Sequence, residues 1–175
     1  MSEGKAERSP SHAVRTTSRL ILRRFPWTDV RAIVEGGRLD DWAPDYPHEG
    51  DAVIAGSLHR AGKSAAAVAG DSSWGHWQVL ERSSGLVIGG IGFLAPPESG
   101  TVEIGYGIVP SRRGRGYATE AVVAIVAGVS GEAAITAVTA ATDHDNLASQ
   151  RVLEKAGFRC VGRGADLRYA LTLSG

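Results

Sequence analysis

Thr101-Val102-Glu103-Ile104-Gly105-Tyr106-Gly107-Ile108-Val109-Pro110-Ser111-Arg112-Arg113-Gly114-Arg115-Gly116-Tyr117-Ala118-Thr119-Glu120 is the stretch on which the fold turns. Its first nine residues alternate with period two, placing Val102, Ile104, Tyr106 and Ile108 on one face of a strand and Glu103, Gly105 and Gly107 on the other. After the glycine turn the period changes, and Ala118, Val122, Ile125, Val126 and Val129 recur at helical spacing. Between strand and helix lies a basic turn with glycines at 114 and 116. Such a turn lets amides converge, and the helix start adds unpaired donors with partial positive charge. A phosphate group is the ligand this expects. It is not a Walker loop, because no Gly-Lys-Ser/Thr follows, nor a dinucleotide fingerprint, because Gly-x-Gly-x-x-Gly is missing. A plain basic surface turn is the alternative.

Upstream, Arg19 to Arg23 reads as a short strand ended by Pro26, and Val30, Ile33 and Val34 mark a helix capped by Thr28 or Asp29 and stopped at Gly36-Gly37. The prolines in Trp42-Ala43-Pro44-Asp45-Tyr46-Pro47 predict a loop. Asp51 to about Arg60 can form a second helix. Trp74 to Arg82, Gly85 to Leu94 and Thr101 to Val109 then give an antiparallel meander. Downstream, Ile135 to Thr142, Asn146 to Ala156, Phe158 to Val161 and Leu167 to Leu171 alternate strand, helix, strand, strand. The expected class is α/β (α+β): a mixed, mostly antiparallel sheet flanked by helices, with a crossover unit in the second half. Residues 1–15 read as a flexible tail and residues 16–175 as a single domain.

The chain has 175 residues, 43% of them hydrophobic and 22% charged, a composition of ordinary globular proteins. Lys plus Arg equals Asp plus Glu at 19 each, so no global field favours nucleic acid or a membrane, and any anion site is local. An RNA-binding role for the three clustered arginines lacks the aromatic interleaving of a stacking surface, which is limited to Tyr117. The single Cys160 reads as a buried strand thiol. No apolar stretch among residues 1–15 serves as a signal or span, which predicts a cytoplasmic protein. His12, His48, His59, His76 and His144 show no ligand spacing, so no metal is expected.

Arg113-x-x-Gly116-x-Ala118, between a strand ending at Val109 and a helix, resembles the Arg/Gln-x-x-Gly-x-Gly/Ala signature of GNAT acetyltransferases. Thr17-x-Arg19-Leu20-x-Leu22-Arg23 and Asn146-x-x-Ser149-x-x-Val152-Leu153-Glu154-Lys155-x-Gly157-Phe158 are similar to the RimJ/RimL-like ribosomal-protein acetyltransferase branch. Together the matches span about two thirds of the chain. The resemblance implies a GNAT fold and acetyl-CoA as co-substrate. It also implies a cofactor site of Ile108, Val109, Arg113, Gly114, Arg115, Gly116, Tyr117 and Ala118, whose turn amides hold the pyrophosphate. It implies further that Asn146 hydrogen-bonds the pantetheine arm and that Ser149 lies near the sulfur as the thiolate's proton donor. Homodimers are common among such proteins, though no residue here identifies an interface.

Acyl transfer to a primary amine needs a proton acceptor and a group that helps the thiolate leave. Glu103, beside two side-chain-free positions and one strand length upstream of the turn, is the candidate base, and the Val-Glu-Ile-Gly-Tyr resemblance points the same way. The alternative leaves it on the solvated side of an outer strand. Ser149, a weak acid, suits a hydrogen bond to sulfur better than independent proton donation. Asn146 or Asp145 can equally be the N-cap of its helix. Helix 146–156 carries no tyrosine, and Tyr106 and Tyr117 read as packing or rim residues. Trp42, Tyr46 and Trp74 are candidates for an acceptor pocket or for the core. Acceptors considered are a peptide or protein N-terminus and a small amine; the acidic run Asp40-Asp41-Trp42-Ala43-Pro44-Asp45 permits an aminoglycoside or other antibiotic. A non-catalytic CoA-binding module is the alternative of another class.

Overall fold

The meander forms as the alternation requires: β3 (His76–Glu81), β4 (Val87–Phe93) and β5 (Thr101–Ile108) pair antiparallel in chain order. The structure, a computed structural model, describes residues 14–71 and 74–173. Ahead of the meander stand β1 (Val14–Thr16), β2 (Leu20–Arg24), α1 (Trp27–Val34) and α2 (Glu49–Asp71). After it come a 3-10 turn (Pro110–Arg112), α3 (Tyr117–Ala127), β6 (Ala137–Thr142), α4 (Leu147–Lys155), β7 (Arg159–Arg163) and β8 (Leu167–Thr172). The eight strands run in the order β1-β2-β3-β4-β5-β6-β8-β7, and every pairing is antiparallel except β5 with β6. This is the expected mixed sheet with its crossover, β5 to β6 through α3.

Several expectations are corrected. Val14 and Arg15, read as tail, pair with Arg23 and Leu22 as the outermost strand; the rest of the expected tail, residues 1–13, lies outside the described residues. Neither Thr28 nor Asp29 caps α1, whose N-cap is Pro26. Asp29 is instead buried, and its Oδ1 accepts from Trp42 Nε1 at 3.0 Å, Gln78 Nε2 at 2.8 Å and Arg23 at 3.2 Å. Four donors and acceptors from α1, β2, β3 and the 42–47 loop are thereby satisfied in one buried network, which a one-dimensional capping rule has no means to register. Trp42 and Tyr46 belong to the core, and Trp74 packs edge-on against Phe93. Cys160 is half-buried, its thiol directed at the Gly162 carbonyl oxygen 3.6 Å away.

The core lies between helices and sheet. Ala121, Val122, Ile125 and Val126 of α3 are buried, and this helix packs on β2, β4 and β5. The start of α2 crosses the glycine face of β4 and β5, where His48 lies over Gly107 and Asp51 over Gly90.

The parallel ladder between β5 and β6 is short: only Thr101–Glu103 pair with Ala137–Thr139. Beyond it β5 stays on β4, Ile104–Ile108 opposite Gly89–Phe93, while β6 stays on β8 through Thr142. The sheet therefore splits. Glu103 O accepts from Leu94 N and Val109 N donates to Ile88 O, both on the β4 side. By alternation, the Ile104 carbonyl and the backbone groups of Tyr106 point into the split beyond the ladder, where no strand among the described residues meets them.

Candidate active site

The basic turn at the end of β5 has the geometry an anion needs. Gly114 and Gly116 adopt φ of 73° and 80°, left-handed values that favour glycine. Gly116 is the N-cap of α3 and no side chain caps the helix, so the first amides of α3 keep their donors for a ligand. The arginines mostly brace the turn. Arg113 Nε donates to Ile108 O at 2.9 Å, Arg112 pairs with Glu81 at 3.2 Å, and Arg115 approaches the same carboxylate at 3.9 Å. The Tyr117 hydroxyl donates to Glu81 at 2.7 Å. Hydrogen bonds from Ser84, Tyr117 and Arg112 hold the Glu81 carboxyl below its ordinary pKa, against its burial. Tyr117 is packed in the core, with its hydroxyl tied to Glu81.

The N-terminal Thr17-x-Arg19 segment braces the turn from the other side. Glu120, in the first turn of α3, accepts from Thr17 at 2.6 Å, from Ser18 at 3.1 Å and from Arg19 N and Nε at 2.9 and 2.7 Å. Arg19 also donates to Arg115 O at 2.9 Å and stacks 4.8 Å over the Tyr117 ring.

A polar cavity of about 260 Å³ occupies the split, lined by Ile104, Gly105 and Tyr106 on one side and by Ala141, Thr142, Asp143, Asn146, Ser149 and Asp166 on the other. Asn146 is the N-cap of α4, its Oδ1 accepting from Ser149 N at 3.0 Å. Its amide nitrogen has no partner among the described residues, so capping the helix does not use up the group that a ligand would need. The Tyr106 hydroxyl lies 2.7 Å from Ser149 Oγ and 3.2 Å from Ser149 O. Tyr106 is thus no mere packing residue: it brings from the strand the phenol that α4 lacks. Burial pushes its pKa up to about 12, against the hydrogen bond with Ser149. Sequence reasoning missed it because alternation places it with Val102 and Ile104, whereas the split beside β5 frees that position.

A second, mainly apolar cavity of about 390 Å³ lies on the other side of β5. Phe25, Val53, Trp77, Ile91 and Leu94 supply its apolar wall, and buried Asp51 with half-buried His48 and His76 its polar groups. Glycines of β4 and β5 shape it, Gly107 as expected and Gly90 in addition: a Cβ at Gly90 would strike Asp51, and one at Gly107 would strike the His48 ring. Gly105 and Tyr106 line both cavities, which therefore adjoin at this point of the strand. Glu103 lines neither, being one step before the junction on the glycine face, and its carboxylate has no hydrogen-bond or ion-pair partner among the described residues. Trp42, Tyr46 and Trp74 do not line the cavity either. Two carboxylates of the acidic run are committed elsewhere, Asp41 to Arg23 at 3.0 Å and Asp45 to Ser111 at 2.7 and 2.8 Å, and Asp40 is exposed outside the cavity.

Residues 19–159 match the acetyltransferase (GNAT) domain model. The chain belongs to the GNAT family. Over 101 residues this GNAT protein is 33% identical to an uncharacterized N-acetyltransferase, YjdG, of Bacillus subtilis, covering 57% of the chain and 60% of that relative. Among solved structures, the RimL ribosomal L7/L12 α-N-protein acetyltransferase in complex with coenzyme A superposes with a TM-score of 0.67 at 17% identity, covering 91% of this chain and 98% of that one. Mycobacterium smegmatis RimJ, in complex with a CoA disulfide, superposes with a TM-score of 0.61 at 22% identity, covering 87% and 81% respectively. The GNAT fold and the likeness to the RimJ/RimL branch thus agree with the terminal motifs. Among the described residues no group of His, Cys, Asp and Glu could hold a metal ion, and no helix is long and apolar enough to cross a membrane.

Proposed function

We propose that this GNAT protein transfers the acetyl group of acetyl-CoA to a primary amine, on a peptide or protein N-terminus or a small molecule, by direct attack. The observation that carries the reading is the split between β5 and β6, which leads from the phosphate-binding turn to a junction with a second cavity. A pantetheine arm carries two amides, and the unpaired edge of Ile104 and Tyr106 offers the ladder partners they need. The pyrophosphate takes the amides of Gly114 to Ala118 beside Arg113 and Arg115, with Ile108 and Val109 leading the strand into the turn. The Asn146 amide faces the arm.

The thioester then reaches the Gly105–Tyr106 junction, and the amine approaches from the apolar cavity. Nitrogen attacks the acetyl carbon, the carbon–sulfur bond breaks, and its electron pair leaves on sulfur. Of the two protons an ammonium gives up in becoming an amide, one ends on sulfur and the other reaches solvent. Glu103 accepts the proton that nitrogen loses during attack, through a water, since it stands one step from the junction. Ser149 donates a hydrogen bond to the sulfur, with the Tyr106 hydroxyl behind it as the relay. The cavity's apolar wall, which none of Asp40, Asp41 and Asp45 lines, speaks against an aminoglycoside acceptor, because a polycation needs several free carboxylates.

Calorimetric titration with acetyl-CoA tests the reading. Saturable micromolar binding is expected, lost in an Arg113→Ala/Gly116→Val double variant. A folded protein that binds no acetyl-CoA overturns it. Binding without transfer to any amine would leave a CoA-binding module in its place.

A further inference from the structure

The buried carboxylate at the mouth of α2 has no task in the scheme above. Asp51 is 5% exposed. One of its oxygens, Oδ2, accepts from His48 N at 3.2 Å, closing the first turn of the helix in the manner of a capping box. The other, Oδ1, sits against Gly90, in the space that a side chain there would fill, at the wall of the apolar cavity, and it has no protein partner among the described residues. A carboxylate oxygen facing a mainly apolar cavity without a protein partner costs stability, and it persists where a ligand supplies the partner.

Three further observations fix the ligand's chemistry. The wall around Asp51 is apolar, with Phe25, Val53, Trp77, Ile91 and Leu94. Gly90 is paired with Gly107 in the ladder, so Asp51 stands one glycine step along the strand from the Gly105 junction, opposite in sense to Glu103. Among the described residues, no arginine or lysine lines the cavity to neutralise the carboxylate.

Resting on the acetyltransferase reading, we propose that Asp51 is the acceptor-recognition residue: it draws a primary ammonium on an apolar body into this cavity and takes that ammonium's first proton. The ion pair forms between Oδ1 and the ammonium. The proton then moves to Oδ1, leaving nitrogen with the lone pair it needs for attack and Asp51 as a neutral carboxyl until solvent removes the proton. Burial raises the Asp51 pKa to about 7, in the range that suits a proton acceptor at neutral pH, with the His48 amide acting against the rise. The titratable groups around it are His48 just ahead of α2, Glu49 in its first turn, Tyr46 in the preceding loop and His76 on β3, with Arg113 acting on His48 and Arg24 on His76. Burial lowers both histidines, His76 to about 4, so above pH 6 His76 stays neutral and does not compete as a cation.

Asp51→Asn keeps an oxygen for the His48 amide and removes only the charge, so the helix start survives. The test uses the full-length protein bound to CoA, with phenethylamine and the uncharged 2-phenylethanol as probes, read by the amide resonances of Gly90, Gly105 and Gly107. We expect phenethylamine to bind at least tenfold more tightly than the alcohol. That preference should vanish in Asp51→Asn, persist in Glu103→Gln, and weaken in the wild type from pH 8 to pH 6 as the carboxyl takes its proton. Equal binding of the two probes by the wild type, binding of neither, or a preference that survives Asp51→Asn overturns the proposal. Acetyl-CoA titration of the same samples separates the failures: if the cofactor binds and the amine preference is missing, only the role of Asp51 falls. If the cofactor itself does not bind, the acetyltransferase reading falls with it.

Discussion

At the scale of the residue, Asp51 puts stability and function in opposition. An acid that holds its proton more tightly folded than unfolded contributes stability in acid and gives it up as the pH rises from its unfolded value, about 3.9, to its folded one. For Asp51 the folded value is about 7, so above pH 7 the native state carries the full cost of a buried charge. Asp51→Asn removes that cost while keeping the bond to the His48 amide. The variant should be more stable than the wild type at pH 8 by on the order of 2 kcal/mol, with the difference shrinking towards pH 4, as urea unfolding at the two pH values will show. His76 acts in the other direction. With its folded pKa depressed to about 4, it costs the wild type stability as pH falls from about 6.5, but it does so equally in Asp51→Asn and cancels in the comparison. Tyr106 offers a separate test. Tyr106→Phe leaves Ser149 Oγ without its 2.7 Å partner, and kcat should fall about tenfold to a hundredfold, with acetyl-CoA affinity changed by less than threefold.

At the scale of the element, β5, the turn and α3 act as one unit that two outside segments hold in place. Glu81 of β3 holds Arg112, Arg115 and Tyr117, and Glu120 holds Thr17 to Arg19. Gly116→Ala forces a side chain to φ 80°, at a cost of about 1 kcal/mol, and displaces the amides that meet the phosphate. Acetyl-CoA affinity should fall at least tenfold by calorimetry. Glu120→Gln should do less, about threefold to tenfold, because it loosens only the Arg19 brace on the Arg115 carbonyl. The same unit shows what was legible beforehand. Its strand, glycine turn and helix follow from local periodicity and local φ requirements, so Thr101 to Glu120 could be read directly. The brace could not: Glu120 and Arg19 lie 101 positions apart, and only the pairing of β1 and β2 beside α3 brings them together. Asp51 escaped for a related reason. In sequence it is an acidic residue at a helix start, the commonest of capping signals, and only the glycine opposite it on β4 turns its second oxygen towards a cavity. Tyr106 was placed on the right face, but the split that opens beside it belongs to the pairing of β6 with β8.

At the scale of the whole molecule, the divided sheet places two cavities on either side of a single strand, sharing only Gly105 and Tyr106. Cofactor and acceptor should therefore be separable by mutation. Asn146 touches only the polar cavity in the split, whereas Gly107 touches only the apolar one, under the His48 ring. In Gly107→Val the new methyls collide with a ring held between α2 and the sheet, not with the end of a flexible chain, so the acceptor cavity closes. That variant should bind acetyl-CoA within threefold of the wild type yet lose at least 90% of amine acetylation. Asn146→Ala should weaken acetyl-CoA several-fold while leaving the phenethylamine-induced shifts at Gly90 intact in the free protein. It should also lose about 1 kcal/mol of stability with the cap. If either substitution impaired both ligands equally, the two sites would be one continuous pocket, and the strand between them would not be the partition that organises transfer.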